Sequence, residues 1–169
     1  MKNVFLLVLL SSIFSLFLKA QDGATLLSHF RESREIENQS WAICQDVDNL
    51  MLFANRRGIM TFDGQTWNFI RMPAVPYAII YSPFDRRVYA GCDNSYGFLE
   101  KDEKGFYNYT ALSDGSATVG LITRIIATDS TVWFYSETTI TRHNLESGQI
   151  EKRFEYDGTR LFTGMFLTP

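Results

Sequence analysis

The residues able to do chemistry in this chain of 169 residues are few and scattered. His29 and His143 are its only histidines, Cys44 and Cys92 its only cysteines. No H-x-x-x-H or C-x-x-C spacing occurs, so no metal centre can be gathered from one local segment, and no metal or other cofactor is expected. "DVDN" at 46–49 has the oxygen spacing of half a calcium loop. It lacks the glycine and the distant glutamate of a whole one and reads as a turn. No G-x-S-x-G, P-loop or dinucleotide fingerprint is present, and "GCDNSYG" at 91–97 sits between two expected strands as a β-turn. Asp46, Asp85 and Asp129 each fall in a polar turn, where an aspartate bonds its own backbone. No catalytic residue is expected, and the chain reads as a non-enzyme.

The elements that position these residues begin after a leader. Lys2, an apolar run over 4–18 and Ala20 just before Gln21 have the layout of a secretory signal peptide over residues 1–20, with cleavage after Ala20 and a leader segment at 21–37. The alternative is an uncleaved amino-terminal anchor, because Lys19 crowds the cleavage site. On either reading the remainder is exported. Its formal net charge of −3 and pI near 5.4 offer no basic face to nucleic acid or acidic lipid. An aromatic content of 15% without long helix-period runs favours pleated strands. In an exported chain Cys44 and Cys92 are permitted a disulfide. Two free, buried thiols are the expectation, since a bridge needs α-carbons within about 7 Å.

An internal repeat organises the rest. "WAICQDVDNLMLFANRRGIMTFDG" (41–64) aligns with "YAIIYSPFDRRVYAGCDNSYGFLEKD" (77–102) and with "TRIIATDSTVWFYSETTITRHNLESG" (123–148). Each copy opens with an apolar strand holding Ile43, Ile79 or Ile125, turns, and gives a second strand at Leu52, Val88 or Val132. A third strand follows over 59–62, 97–100 or 140–143, and a fourth begins near Trp67, Phe106 or Ile150. Asp63-Gly64, between the third and fourth strands of the first copy, is the expected type I′ turn residue pair. Four-stranded units recurring about every 40 to 50 residues are the signature of β-propeller blades, an antiparallel sandwich being the competing arrangement. The expected fold is all-β: three four-stranded antiparallel blades at 38–71, 72–112 and 113–156. The first strand of a fourth is expected over 161–167, within a segment at 157–169. Because a propeller needs about four or more blades, the expected state is an incomplete, truncated propeller.

"NQSWAICQDVDNLMLFANRRGIMTFDGQTWNFI", "RRVYAGCDNSYGFL" and "VWFYSETTITRHN" together resemble the amino-terminal blades of the two-component regulator propellers. The resemblance runs from about Asn38 to the end. It implies the exported, periplasmic sensor region of a bacterial regulator that continues into further blades, a triple-tyrosine β-sandwich, a membrane helix and a histidine kinase or helix-turn-helix output. Those downstream modules are the implied partners, and membrane contact comes only through the leader or the downstream helix. The second-strand tryptophan usual in such repeats appears only as Trp133. In a bacterial exported protein the sequons at Asn38 and Asn108 stay unmodified.

Residues at the start of each innermost strand face the channel mouth of a propeller, and here they are Trp41, Tyr77 and Arg124. Aromatic faces and a guanidinium suit a carbohydrate or another small ligand, by stacking and by hydrogen bonding. The competing reading of Trp41 and Tyr77 is filler of the core between blades. Three functions stand in order: a ligand-sensing module, a polysaccharide-acting propeller enzyme, and a protein-binding scaffold.

Overall fold

The computed structural model describes residues 39–113, 115, 118–159 and 162–164. The signal peptide and leader segment, 1–37, lie outside the described residues, as does the whole of a first compact unit, Met1–Arg31. Everything below belongs to the second unit, Glu32–Pro169.

Three four-stranded antiparallel sheets follow one another along the chain. The first holds β1 (Ser40–Gln45), β2 (Met51–Asn55), β3 (Gly58–Phe62) and β4 (Trp67–Arg71). The second holds β5 (Pro76–Ser82), β6 (Arg87–Cys92), β7 (Ser95–Lys101) and β8 (Tyr107–Ala111). In the third are β9 (Arg124–Ala127), β10 (Thr131–Tyr135), β11 (Thr139–Asn144) and β12 (Ile150–Glu155). Strands run in sequence order across every sheet, so each is a meander built from short turns.

Side chains alternate between the two faces of a strand, and the sheets use that alternation to stack. Leu52, Ala54 and Ile59 on one face of the first sheet pack against Ile79, Val88, Ala90 and Leu99 on the second. The opposite face of the second sheet sends Ala78, Tyr89, Tyr96 and Phe98 against Ile125, Val132 and Phe134 of the third. The central strands of the second sheet are therefore covered on both sides, and in the first sheet all five residues of β3 are buried where a half-buried alternation would be simpler. Close stacking constrains side-chain size. Gly97 lies at a point where an added Cβ would strike the Thr110 carbonyl, and the Tyr109 ring fills the space that glycine leaves.

Two expectations need correction. The β3–β4 hairpin is closed by four residues, 63–66, because the last pair of the ladder is Phe62 with Trp67. It is not a two-residue type I′ turn: Gly64 has φ of 98°, and Asp63 is not among the positive-φ residues. Asp63 instead folds the loop with its carboxylate. One oxygen accepts from the N–H groups of Gln65 (2.8 Å) and Thr66 (2.7 Å), the other from the Thr66 hydroxyl (2.6 Å). These donors, the Thr66 hydroxyl foremost, hold the carboxyl down to about 2. The strand expected over 161–167 is also not seen in the part described, since 162–164 carry no strand. Phe162 docks on the third sheet: its N–H donates to the Glu137 carbonyl (3.1 Å), and its own carbonyl accepts from the Tyr135 hydroxyl (2.7 Å). Leu161 and residues 165–167 lie outside the described residues.

Candidate functional site

β1, β5 and β9 open the three sheets, and the first two begin with the same irregularity. In the β1–β2 ladder Ser40 faces Asn55 and Ala42 faces Ala54, so Trp41 is the extra residue of a β-bulge. In the β5–β6 ladder Pro76 faces Cys92 and Ala78 faces Gly91, which makes Tyr77 the extra residue there. A bulge re-aims the side chain it carries. Here the two rings come together, with centroids 4.6 Å apart and planes tilted by 36°. Both are half-buried, so each keeps part of a face open.

Arg124 is not brought to that pair. It opens β9, is exposed, and lines a hollow of about 520 Å³ with Thr123, Tyr135, Glu137 and residues 162–164. Of the three residues expected at one mouth, two meet and the third stands on the far side of the third sheet.

The turn aspartates behave as local anchors, with one addition that the sequence does not announce. One Asp46 oxygen accepts from the N–H groups of Asp48 and Leu50, each at 2.9 Å. The other reaches across to the second sheet, where Lys101 Nζ (2.6 Å) and the Tyr107 hydroxyl (2.8 Å) donate to it. Lys101 also bonds Asp48 at 2.6 Å. Burial works to raise the Asp46 carboxyl, but the bonds from Lys101, Tyr107 and Leu50 outweigh it and leave the group below the usual carboxylate range. "DVDN" is thus a turn whose carboxylates are held by a lysine. Asp85 accepts from the Tyr89 hydroxyl of its own sheet, and Asp129 from Ser130.

His143, which the sequence left without a role, is buried between the second and third sheets. Nδ1 lies 3.1 Å from the Gly148 carbonyl and Nε2 3.1 Å from the Tyr96 hydroxyl. A carbonyl only accepts, so the network assigns the proton to Nδ1, and Tyr96 donates to Nε2. Burial holds the imidazole below its ordinary pKa. A neutral ring bonded on both nitrogens and 1% exposed is suited to tying sheets together. Cys44 and Cys92 are free thiols; burial pushes the first up to about 12 and the second to about 11, so neither is a ready nucleophile. Among the described residues no three His, Cys, Asp or Glu side chains converge in a way that could hold a metal ion.

No family model matches the chain, and no curated protein does. A solved structure of streptogramin B lyase, a β-propeller, is similar to it with a TM-score of 0.53 and 18% identity, over 70% of this chain and 41% of that one. The chain therefore spans less than half the length of that neighbour. At this identity the likeness shows the fold alone: the three stacked sheets are β-propeller blades.

Proposed function

We propose that the chain is an exported, non-catalytic, ligand-sensing β-propeller module of a bacterial signal-transduction regulator of the two-component regulator propeller kind, working within a larger receptor. The observation that supports this reading is the Trp41–Tyr77 pair, set by two bulges at the head of two adjacent innermost strands. A tilted pair of half-open rings offers stacking area to a sugar or another flat-faced ligand at small entropic cost, since each ring is already fixed by its neighbour. The leader pattern at 1–20 and the sequence resemblance support export to the periplasm and a signalling role. The neighbour's name is that of an enzyme, so the reading must exclude turnover as well as find binding.

The test is a titration of the purified chain with a panel of neutral oligosaccharides (glucans, mannans, galactans, N-acetylglucosamine oligomers), reading tryptophan fluorescence and analysing the sugars for cleavage products. Saturable quenching with the sugars recovered intact is the expected result. Cleavage products would replace the sensor by an enzyme. No fluorescence change across the panel would remove carbohydrate as the ligand.

A further inference from the structure

The outer strands of the three blades are guarded unequally. A strand at the rim of a sheet leaves a row of unpaired N–H and C=O groups, and proteins blunt such an edge with charges, prolines or bulges. β12 carries Glu151, Lys152, Arg153 and Glu155, and a bulge interrupts its ladder to β11. β8 reads YNYTA, without a charge or a proline, and its register to β7 runs unbroken. β4 is nearly as bare, with Arg71 alone at its last position.

The two bare strands border one groove of about 650 Å³, at the opposite edge of the blades from Trp41 and Tyr77. Asn68 and Ile70 stand on its first-blade wall and Tyr107 and Tyr109 on its second-blade wall. Arg71 borders it from a position whose side chain belongs to the other face of β4, so neither strand turns a charge inward. Asn68 is exposed, and its amide makes no hydrogen bond among the described residues. The ladder decides which backbone groups β8 offers, because bonds fall on alternate residues of an antiparallel pair. The Asp102 N–H donates to the Phe106 carbonyl (2.9 Å) at one end, and the Leu112 N–H to the Tyr96 carbonyl (3.0 Å) at the other. With the register unbroken between them, Asn108 and Thr110 also bond to β7, while Tyr107, Tyr109 and Ala111 turn N–H and C=O toward the free edge. Among the described residues nothing pairs with that edge.

We propose that β8 takes up one extended segment of another protein as an added strand of the second blade, a segment whose side chains are uncharged, apolar alternating with small polar. The five residues of β8 give about 17 Å of edge at ~3.3 Å each. Main-chain bonds at Tyr107, Tyr109 and Ala111 supply the affinity in this mode of recognition. Alternate side chains of the segment enter the groove between the two tyrosines and the Asn68–Ile70 wall, where a charge would lose water without gaining a partner. The others lie beside Phe106, which is 67% exposed and gains a cross-strand neighbour. The groove is a wedge between two sheets, so a single strand fits it, whereas the outer strand of a second copy would bring a whole blade. Both walls belong to blades already described, and the inference stands or falls apart from the sensing mouth.

The test adds a synthetic strand to the purified chain: the acetylated peptide TVTVTV, followed by a glycine and a short lysine tail for solubility. Fluorescence anisotropy of the labelled peptide reads binding, and amide hydrogen exchange reads its place. Saturable binding is expected, with exchange slowed at Tyr107, Tyr109 and Ala111 and unchanged at Asn108 and Thr110, which are already bonded. A TVPVTV peptide, unable to pair along its length, is expected not to bind. Ala111→Pro removes one outward N–H and no ladder bond, and should weaken binding at least about tenfold. Phe106→Ser alters a ring that is already exposed and should weaken binding several-fold, which keeps the test open where the proline variant fails to fold. No binding by the wild type, equal binding of TVPVTV, or a folded variant that binds as tightly as the wild type would each overturn the proposal. So would protection at Trp67, Phe69 and Arg71 in place of β8, or a chain already dimeric through β8 before peptide is added.

Discussion

The Tyr96 hydroxyl stands 3.1 Å from Nε2 of His143, across the seam between the second and third blades. Around that bond the Tyr96 ring stacks on Phe134 with centroids 4.3 Å apart. His143 occupies the position in its blade that Leu99 holds in the second, since Leu99 pairs with Val88 and His143 with Val132. A position filled elsewhere by a hydrocarbon here carries a titratable group.

Stability should therefore fall in mild acid. The folded pKa of His143 is lowered from 6.5, so below that pH the unfolded chain takes up a proton that the folded chain refuses. The contribution is complete above about pH 6.5 and is lost as the pH falls, by up to about 1.4 kcal/mol per pH unit until the folded pKa is reached. Urea unfolding at pH 7.5 and pH 5.5 measures it. His143→Leu should flatten the profile in that window; an unchanged slope would place the titration elsewhere.

Lys101 is expected to matter more than a surface lysine does. Its partner Asp46 has a side chain only 1% exposed, and Lys101→Met leaves that carboxylate with Tyr107 and two turn N–H groups. A loss of about 2 kcal/mol follows from removing a charged donor from a buried acceptor. Because the Asp46 pKa is lowered, this stability is present above about pH 4 and disappears as the pH falls through the folded value. A loss that stays the same through the whole acid range would show that another contact, such as Lys101 Nζ 5.1 Å over the Tyr107 ring, carries the effect instead.

Gly64→Val should destabilise by about 1 kcal/mol or more, since φ of 98° is strained for a β-branched residue although nothing lies within 4 Å of the added Cβ. The absence of neighbours makes this a test of backbone conformation alone. An unfolding midpoint equal to the wild type would mean that the loop relaxes to negative φ.

The architecture was legible because strand period and repeat act over a few residues. The innermost strands hold Ile43, Ile79 and Ile125 as the aligned copies require, and the third strands fall where 59–62, 97–100 and 140–143 were read. Turn type was less legible: Asp63-Gly64 reads as a two-residue turn, but the Asp63 carboxylate gathers Gln65 and Thr66 and widens the loop to four. The seams were illegible, because Asp46 and Lys101 are 55 residues apart and Tyr96 and His143 are 47. Only the stacking of one blade on the next brings them together. Trp41 and Tyr77 could be placed at strand starts, whereas the bulges that turn them toward each other leave no mark on residue type.

The most direct test of a sensing mouth at Trp41 and Tyr77 separates binding from packing in the same variant. Trp41→Ala is measured twice, by calorimetric titration with the oligosaccharide that quenches the wild type and by urea unfolding. A binding surface predicts at least about a tenfold loss of affinity, roughly 1.4 kcal/mol, with a smaller change in unfolding free energy. A filler role predicts the reverse, a loss of about 3 kcal/mol in stability with affinity unchanged, and that result would contradict the account.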